Sequence, residues 1–308
     1  MATTTAGKHA HLVGERRRVR GRRRWSPGPW LFLAPYLVLF VAFVLAPAIY
    51  GLWMSLHDWS YLGEHRFAGL ANYARLFDRG SASAWAFWKS MGVTATFVVL
   101  SLPLMLVVPL LLALALDAKL PGRTFFRALF FAPYTLGVAV VGILFRFMLD
   151  PSLGLVNKVL GADIPWTTEQ PWVWVSLVGV TVWWTLGFNT VIYLAGLQDI
   201  PKELYEAARL DGAGRWSQLV HVTLPGLKPV IALVGTLTLL ASANMFGQAY
   251  LVTGGAPAHG TRTAVMIIAQ EGLVNFRLGQ AAAMSFVLAA ILAVLGLSAA
   301  RLTRQEAP

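Results

Sequence analysis

Residues able to do chemistry are sparse in this sequence, and most of them are gathered into one stretch. There is no cysteine, which excludes disulfides and thiolate chemistry. The six histidines are scattered over tails and connecting segments, with no His-Glu-x-x-His pair, no cluster at metal-ligand spacing and no nucleophile elbow. Neither a metal nor a cofactor is expected. The only Gly-Lys pair, Gly7-Lys8, lacks the upstream glycine of a phosphate-cradling loop, so the chain has no nucleotide-hydrolysing motif of that kind. What remains is the stretch 197–228. It carries Asp199, Glu203, Glu206 and Asp211 against Lys202, Arg209, Arg215 and Lys228.

Asp199 and Pro201 suit a helix start, and Leu204, Ala207, Ala208 and Leu210 then give one apolar face. Gly212 and Gly214 end that helix, and Trp216, Leu219 and Val220 share a face of a second, which Leu224-Pro225 is expected to close. Such an amphipathic pair needs a surface for its apolar faces, either a headgroup layer or a groove on a cytosolic partner. His221, within it, is expected to be a surface contact rather than a catalyst.

The elements that must carry this stretch follow from composition. Of 308 residues, 57% are hydrophobic and 13% charged, whereas a soluble domain has about 25% charged residues. A soluble globular enzyme and a disordered chain are both excluded. Six apolar stretches reach the length of about 20 residues that a spanning helix needs: 30–54, 92–116, 128–148, 172–197, 229–249 and 280–298. The expected fold class is an all-α integral membrane protein with six transmembrane helices. The net charge of +11 is placed as an orientation signal rather than as a nucleic-acid surface. Eight cations precede the first span, and 17 of the 25 lie in the two tails, 117–127 and 197–228. Both termini are therefore expected to be cytoplasmic, with Trp166, Trp172 and Trp174 in an outer aromatic belt. Ala46-Pro47-Ala48 loosely imitates a cleavage site, but the apolar run is too long for a signal peptide and is expected to stay as a helix.

Within the spans Arg146 is the only full charge, near the end of the third. Proton relays usually need buried carboxylates, and none is present, which favours an external energy source. Neutral polar groups remain, among them Thr185, Asn189, Thr236, Thr238, Asn244 and Gln248. Asn189, Asn244 and Gln248 are candidates to line a solute pathway, since amides suit hydroxyl-rich solutes; hydrogen bonding between helices is the competing role.

Glu206-Ala207-Ala208, three residues, Gly212, nine residues, Val222, one residue, Leu224-Pro225 resembles the EAA motif of membrane permeases of binding-protein-dependent ABC importers. Val222 stands where isoleucine is usual. Leu33-Ala34-Pro35-Tyr36, Gly154-Leu155-Val156-Asn157, Thr253-Gly254-Gly255-Ala256-Pro257 and Gly279-Gln280-Ala281-Ala282-Ala283 resemble segments of the sugar permeases in that family, so the likeness covers most of the chain. It implies a type I importer permease fold and a lipid-embedded subunit. The implied partners are a second permease subunit forming a heterodimer, two cytosolic ATP-binding subunits and an extracytoplasmic solute-binding protein. It also implies that Glu206, Ala207, Ala208, Arg209, Asp211, Gly212, Leu224 and Pro225 couple the permease to its ATPase, with Glu206 as polar anchor and Gly212 as the turn.

The expected organisation is a basic cytoplasmic tail at 1–29, a permease domain at 30–298 that includes the coupling loop 197–228, and a cytoplasmic tail at 299–308. The expected solute is a sugar or oligosaccharide, with glycerol phosphate or another polyol, then amino acids or peptides, as alternatives. A secondary carrier and a membrane enzyme or scaffold are the rival classes. Finally, Gly154–Gly161 and Gly272–Gly279 agree at six of eight positions, which is too short to define a repeat.

Overall fold

The computed structural model describes residues 28–60, 63, 65–118 and 122–305. The cations of the expected tail 1–29, and Lys119, lie outside the described residues. The chain divides into two units, Met1–Ile49 and Tyr50–Pro308. Most of the described part of the first unit is the helix α1, Leu31–Ser55, which carries exposed Leu, Val and Phe side chains and continues into the second. Its turn Val41–Leu45 is widened to a π-helical geometry just ahead of Pro47, and the helix runs on through Ala46–Ser55.

The second unit begins with a two-residue antiparallel ladder, β1 (His57–Asp58) and β2 (Arg66–Phe67), pairing His57 with Phe67 and Asp58 with Arg66. The helices that follow are α2 (Ala71–Phe77), α3 (Ala82–Asp117), α4 (Arg123–Thr135), α5 (Val138–Met148), α6 (Leu155–Leu160), α7 (Trp172–Gln198), α8 (Lys202–Leu210), α9 (Arg215–Ala243), α10 (Ala264–Val274) and α11 (Leu278–Gln305). Among the described residues, α1, α3, α7, α9 and α11 are long and apolar enough to cross a membrane unaided. At 36 residues α3 is about 54 Å long, well beyond a hydrocarbon core of about 30 Å.

The expected third span is not one helix. It is α4 and α5, meeting at 95°. Pro133 lies in the 3-10 turn Ala132–Thr135, and Leu136 and Gly137 are extended, so the helical ladder stops there. The Leu136 carbonyl freed at the bend accepts from the Trp184 indole N–H at 3.1 Å.

The helix at the end of the inner loop also differs from expectation. Leu224-Pro225 does not close it. A π-helical turn, Leu219–Thr223, leads into Leu224–Ala243 with Pro225 near the start of that stretch, so one helix runs from Arg215 into the bundle. Pro225 follows directly on that widened turn, whose altered bonding accommodates its ring and its missing N–H. Further along, the span expected to reach residue 249 stops at Ala243, and 244–246 are not helical. At the C-terminus α11 stays helical to Gln305, beyond the expected boundary at 298.

α3 and α7 lie side by side with their C-terminal ends together, and α9 packs against both. One apolar core joins Ala113, Leu116, Tyr193, Leu194, Leu227 and Val234; another joins Phe97, Val141, Leu177, Val180 and Met245. Many Leu, Val and Phe side chains elsewhere face outward, as bilayer contact requires. α10 is seated on α3: its capping residue Thr263 accepts from the Met266 amide, and the Ala264 amide donates to Thr94 Oγ1 at 2.9 Å.

The two similar octapeptides take different conformations. In the first, Gly154 starts α6, and buried Asn157 donates to Pro151 and Ile164 carbonyls and accepts from Trp166. The second closes α10, with Phe276 left-handed at φ 55° and Asn275 exposed. In the turn before α6, backbone N–H groups of Leu153 and Ser152 hold the Asp150 carboxyl below its ordinary range.

Close approach of α4 to α7 depends on Gly187, where a Cβ would lie 2.3 Å from the Phe130 carbonyl oxygen and 2.5 Å from Phe131 Cα. Both are backbone atoms, so no rotamer change relieves the clash. Gly187→Val is expected to lower stability by about 1–3 kcal/mol in detergent unfolding, while Gly179→Ala, where a Cβ meets nothing within 4 Å, leaves it nearly unchanged. Equal stabilities would refute the contact.

Candidate functional site: the α8 surface and a mid-bundle cavity

α8 is a nine-residue helix closed by a left-handed glycine. Its start differs from expectation: Pro201 is the flanking residue, and Asp199 instead ends α7. Gly212 sits at φ 78°; its amide donates to the Arg209 carbonyl at 3.0 Å, and the Ala213 amide to that of Ala208 at 2.8 Å. These two bonds reverse the chain into α9, and a side chain at Gly212 would be strained although nothing crowds it. α8 is then tied to α9 by a hydrogen bond between the Tyr205 hydroxyl and Thr223 Oγ1 at 3.0 Å. Ile200 is buried and in van der Waals reach of Gly226.

The two faces of α8 have different surroundings. Lys202, Tyr205, Glu206 and Arg209 line a groove of about 790 Å³, together with the ends of α3 and α7 and the start of α9. The other side shows Leu204 and Ala207 to solvent, with Leu210 89% and Trp216 76% exposed nearby. Of the residues expected to form one coupling surface, Glu206 and Arg209 thus share the groove and Ala207 faces away. Ala208 is half-buried, and Asp211 is exposed at the cap. Leu224 and Pro225 follow directly on the groove's last residue, Thr223, and do not line the groove themselves. His221 is exposed and its Nδ1 lies 3.0 Å from the Ser217 carbonyl oxygen.

Toward the middle of α3 and α7 lies a cavity of about 270 Å³, bounded also by the break after α9. Asn244, Gln248, Thr181 and Thr185 supply polar atoms, Trp184 and Phe97 supply rings, and no ionisable side chain lines it. Both threonine hydroxyls donate to their own helix, Thr181 to Leu177 and Thr185 to Thr181, leaving their oxygens as acceptors. Asn244 is exposed and donates to Leu240; Gln248 is 8% exposed. Such a lining can exchange hydrogen bonds with hydroxyls and pack against ring faces, but it offers no general acid, base or nucleophile.

Asn189 is not in this cavity. It is 3% exposed, and its amide donates to the Met105 carbonyl at 3.1 Å and to Thr238 Oγ1 at 3.5 Å. Met105 lies four residues before Pro109, whose missing N–H leaves that carbonyl without a helical partner. Asn189 therefore ties α7 to α3 and α9. Sequence reasoning missed Thr181 and Trp184, whose only signal is that they fall within one turn of Thr185 on the same helix. It also missed the break at 244–246, for which Asn244 and Gly247 were the available sign.

A helical bundle with a neutral polar cavity between its spans and a short amphipathic helix on one end defines a membrane permease. The chain belongs to the family of binding-protein-dependent transport system inner membrane components, whose model matches residues 87–305. It is a multi-pass inner membrane protein. It is 32% identical over 283 residues to the trehalose/maltose transport system permease protein MalF of Thermococcus litoralis, covering 89% of this chain and 94% of that one. It is 35% identical over 276 residues to the sn-glycerol-3-phosphate transport system permease protein UgpA of Rhizobium meliloti, covering 88% and 92%. Among solved structures it is similar to a chain of a bacterial alginate ABC transporter in complex with an alginate pentasaccharide-bound periplasmic protein. That match has TM-score 0.77 and 27% identity, and covers 90% of this chain and 94% of that one.

Asn189 and Pro109 make a testable pair. Asn189→Leu is expected to cost about 1 kcal/mol in detergent unfolding, and much less in a Pro109→Ala background, where a restored N–H satisfies Met105. Strict additivity of the two changes would remove the tie.

Proposed function

We propose that this chain is the membrane-spanning subunit of an ABC importer for a sugar or oligosaccharide. The solute passes the mid-bundle cavity, and energy enters through α8 from a separate ATPase. The observation that carries the reading is the combination of an exposed apolar face on α8 with a cavity lined by amides, hydroxyls and rings and no charge. The relatives are permease subunits, and this chain hydrolyses no nucleotide itself. In this reading the domain runs over 30–298, with 197–228 as the cytosolic coupling segment and both termini on that side. A second permease subunit, two ATP-binding subunits and an external solute-binding protein complete the assembly.

Asn244 and Gln248 contact the solute. Asn189 acts as a structural hydrogen-bond donor instead. Ala207 and Leu204 face the ATPase and allow close approach, Gly212 sets the turn, and Glu206 and Arg209 act from the groove edge, with Asp211 at the cap. Leu224 and Pro225 begin the membrane part of α9.

In proteoliposomes containing all subunits, Gly212→Asp and Glu206→Lys are each expected to leave insertion intact and ATP hydrolysis measurable while sugar uptake falls at least about tenfold. Normal uptake in both variants would sink the coupling assignment. Asn244→Ala with Gln248→Ala is expected to raise the apparent KM for the transported sugar without changing ATPase assembly. Unchanged uptake kinetics would reject the cavity as the pathway.

A further inference from the structure

A second polar cavity lies at the opposite end of α3 from the α8 groove. It holds about 370 Å³ and is walled by the β1 segment, α2 and the starts of α3 and α11. Its floor is built from buried amides. Asn72 is 1% exposed and donates to the Ser55 and His57 carbonyls at 2.9 and 2.8 Å; Gln280 is 7% exposed and donates to Ser83 Oγ. The start of α11 is strapped to the same segment by the Gly279 amide on the Trp59 carbonyl at 3.2 Å and by a bridge between Ser60 and Arg277. The walls are thus fixed without any ligand.

The rim carries Arg75, Arg277 and Asp58, with the Trp59 indole as one wall. Arg75 only grazes Asn72 Oδ1, at 3.5 Å, and Arg277 approaches Glu271 at 3.8 Å, beyond hydrogen-bond range. Both guanidinium forks keep donors to spend on a ligand. Glu271 is buried and faces both Arg277 and Arg262, so its single charge is shared between two guanidiniums.

Planar forks that donate and a carboxylate that accepts are the groups that suit a ring of neighbouring hydroxyls, while the Trp59 indole, stacked on His65 at 3.7 Å, only borders the space. Each vicinal hydroxyl pair can accept from one fork and donate to the carboxylate. Counted with Glu271 and its second neighbour, the guanidiniums of Arg75, Arg277 and Arg262 against the carboxylates of Asp58 and Glu271 leave a surplus of one positive charge. A site for a bare inorganic anion would gain nothing from Asp58. We propose that this cavity binds one saccharide unit and prefers a sugar acid, as a site separate from the mid-bundle cavity. The proposal deepens the sugar-import reading, and its test is separable from that of transport.

The experiment is titration of the full chain in lipid nanodiscs with glucuronate, glucose and inorganic phosphate, read by calorimetry and by tryptophan fluorescence. Glucuronate is expected to saturate at about tenfold lower concentration than glucose, and phosphate not to compete. Arg75→Gln with Arg277→Gln should erase that preference, and Asp58→Asn should weaken both sugars. Trp59→Phe should remove the optical signal but keep the heat. Asn244→Ala with Gln248→Ala should leave this binding unchanged. No saturable sugar binding, phosphate competing as well as glucuronate, or unaltered preference in the double arginine variant with a native circular dichroism spectrum would each overturn the proposal. Unchanged uptake kinetics in the Asn244→Ala, Gln248→Ala variant, with this binding retained, would fault the transport reading alone.

Discussion

In hydrocarbon no water is available to pair with a backbone group, so every break in a spanning helix must be answered from within the protein. Pro109 makes one such break in the C-terminal third of α3. Asn189 answers it by donating to the Met105 carbonyl, and Thr190 reaches the Pro109 carbonyl from the next position at 3.5 Å. The bend between α4 and α5 makes another, answered by Trp184. Threonines inside α3, α7 and α9 donate back to their own helices. Among the described residues of the spans, the side-chain hydroxyls of Ser101 and Tyr193 are buried without a partner.

That constraint sorts the few polar side chains of the spans into two groups. Asn189 and Thr94 hold helices or capping segments in place, and their hydrogen-bonding capacity is largely used. Gln248, Asn244 and the acceptor sides of Thr181 and Thr185 are left over, and they converge on one cavity where α9 stops. The break at 244–246 lies at this convergence, with Asn244 on one side of it and Gln248, in the helical stretch that resumes at 247, on the other. A neutral cavity follows directly from spans that carry no carboxylate.

The sequence announced the spans and the helix-turn-helix because both rest on local signals: apolar length, glycine at φ 78° and the spacing of Ala207, Ala208 and Gly212. Three features were not legible. The α4–α5 bend lies in a stretch whose hydropathy is unbroken, and a proline alone does not say whether a helix kinks or turns through 95°. Pro225 looked like a stop because proline usually is one; the widened turn at Leu219–Thr223 let the helix run through it. The side of α8 on which Glu206 falls depends on how α8 packs beneath α3 and α7, which no window of sequence contains. The likeness of the two octapeptides misleads for the same reason. Identical residues serve a helix start around Asn157 and a helix end around Asn275, and only tertiary partners distinguish them.

The continuity of α9 has a mechanical consequence. Its first turns carry Gln218 and Thr223, which bind the α8 turn and Tyr205, and its last turn ends at Asn244 on the cavity. Twenty-nine residues of helix make a rod of about 43 Å between them. Between α8 and the cavity the α-helical ladder of that rod is interrupted by the widened turn Leu219–Thr223, and it carries Pro225 and Pro229. α7 connects the same two places in parallel, ending beside α8 and passing the cavity at Thr181 and Thr185. Asn189 lies between those ends and ties α7 to α3, with a longer contact to Thr238 on α9. A change at one end can then alter the other only if the three helices move as a body or that tie yields. The charge-free cavity and the loop that carries the charges are therefore two ends of one continuous helix.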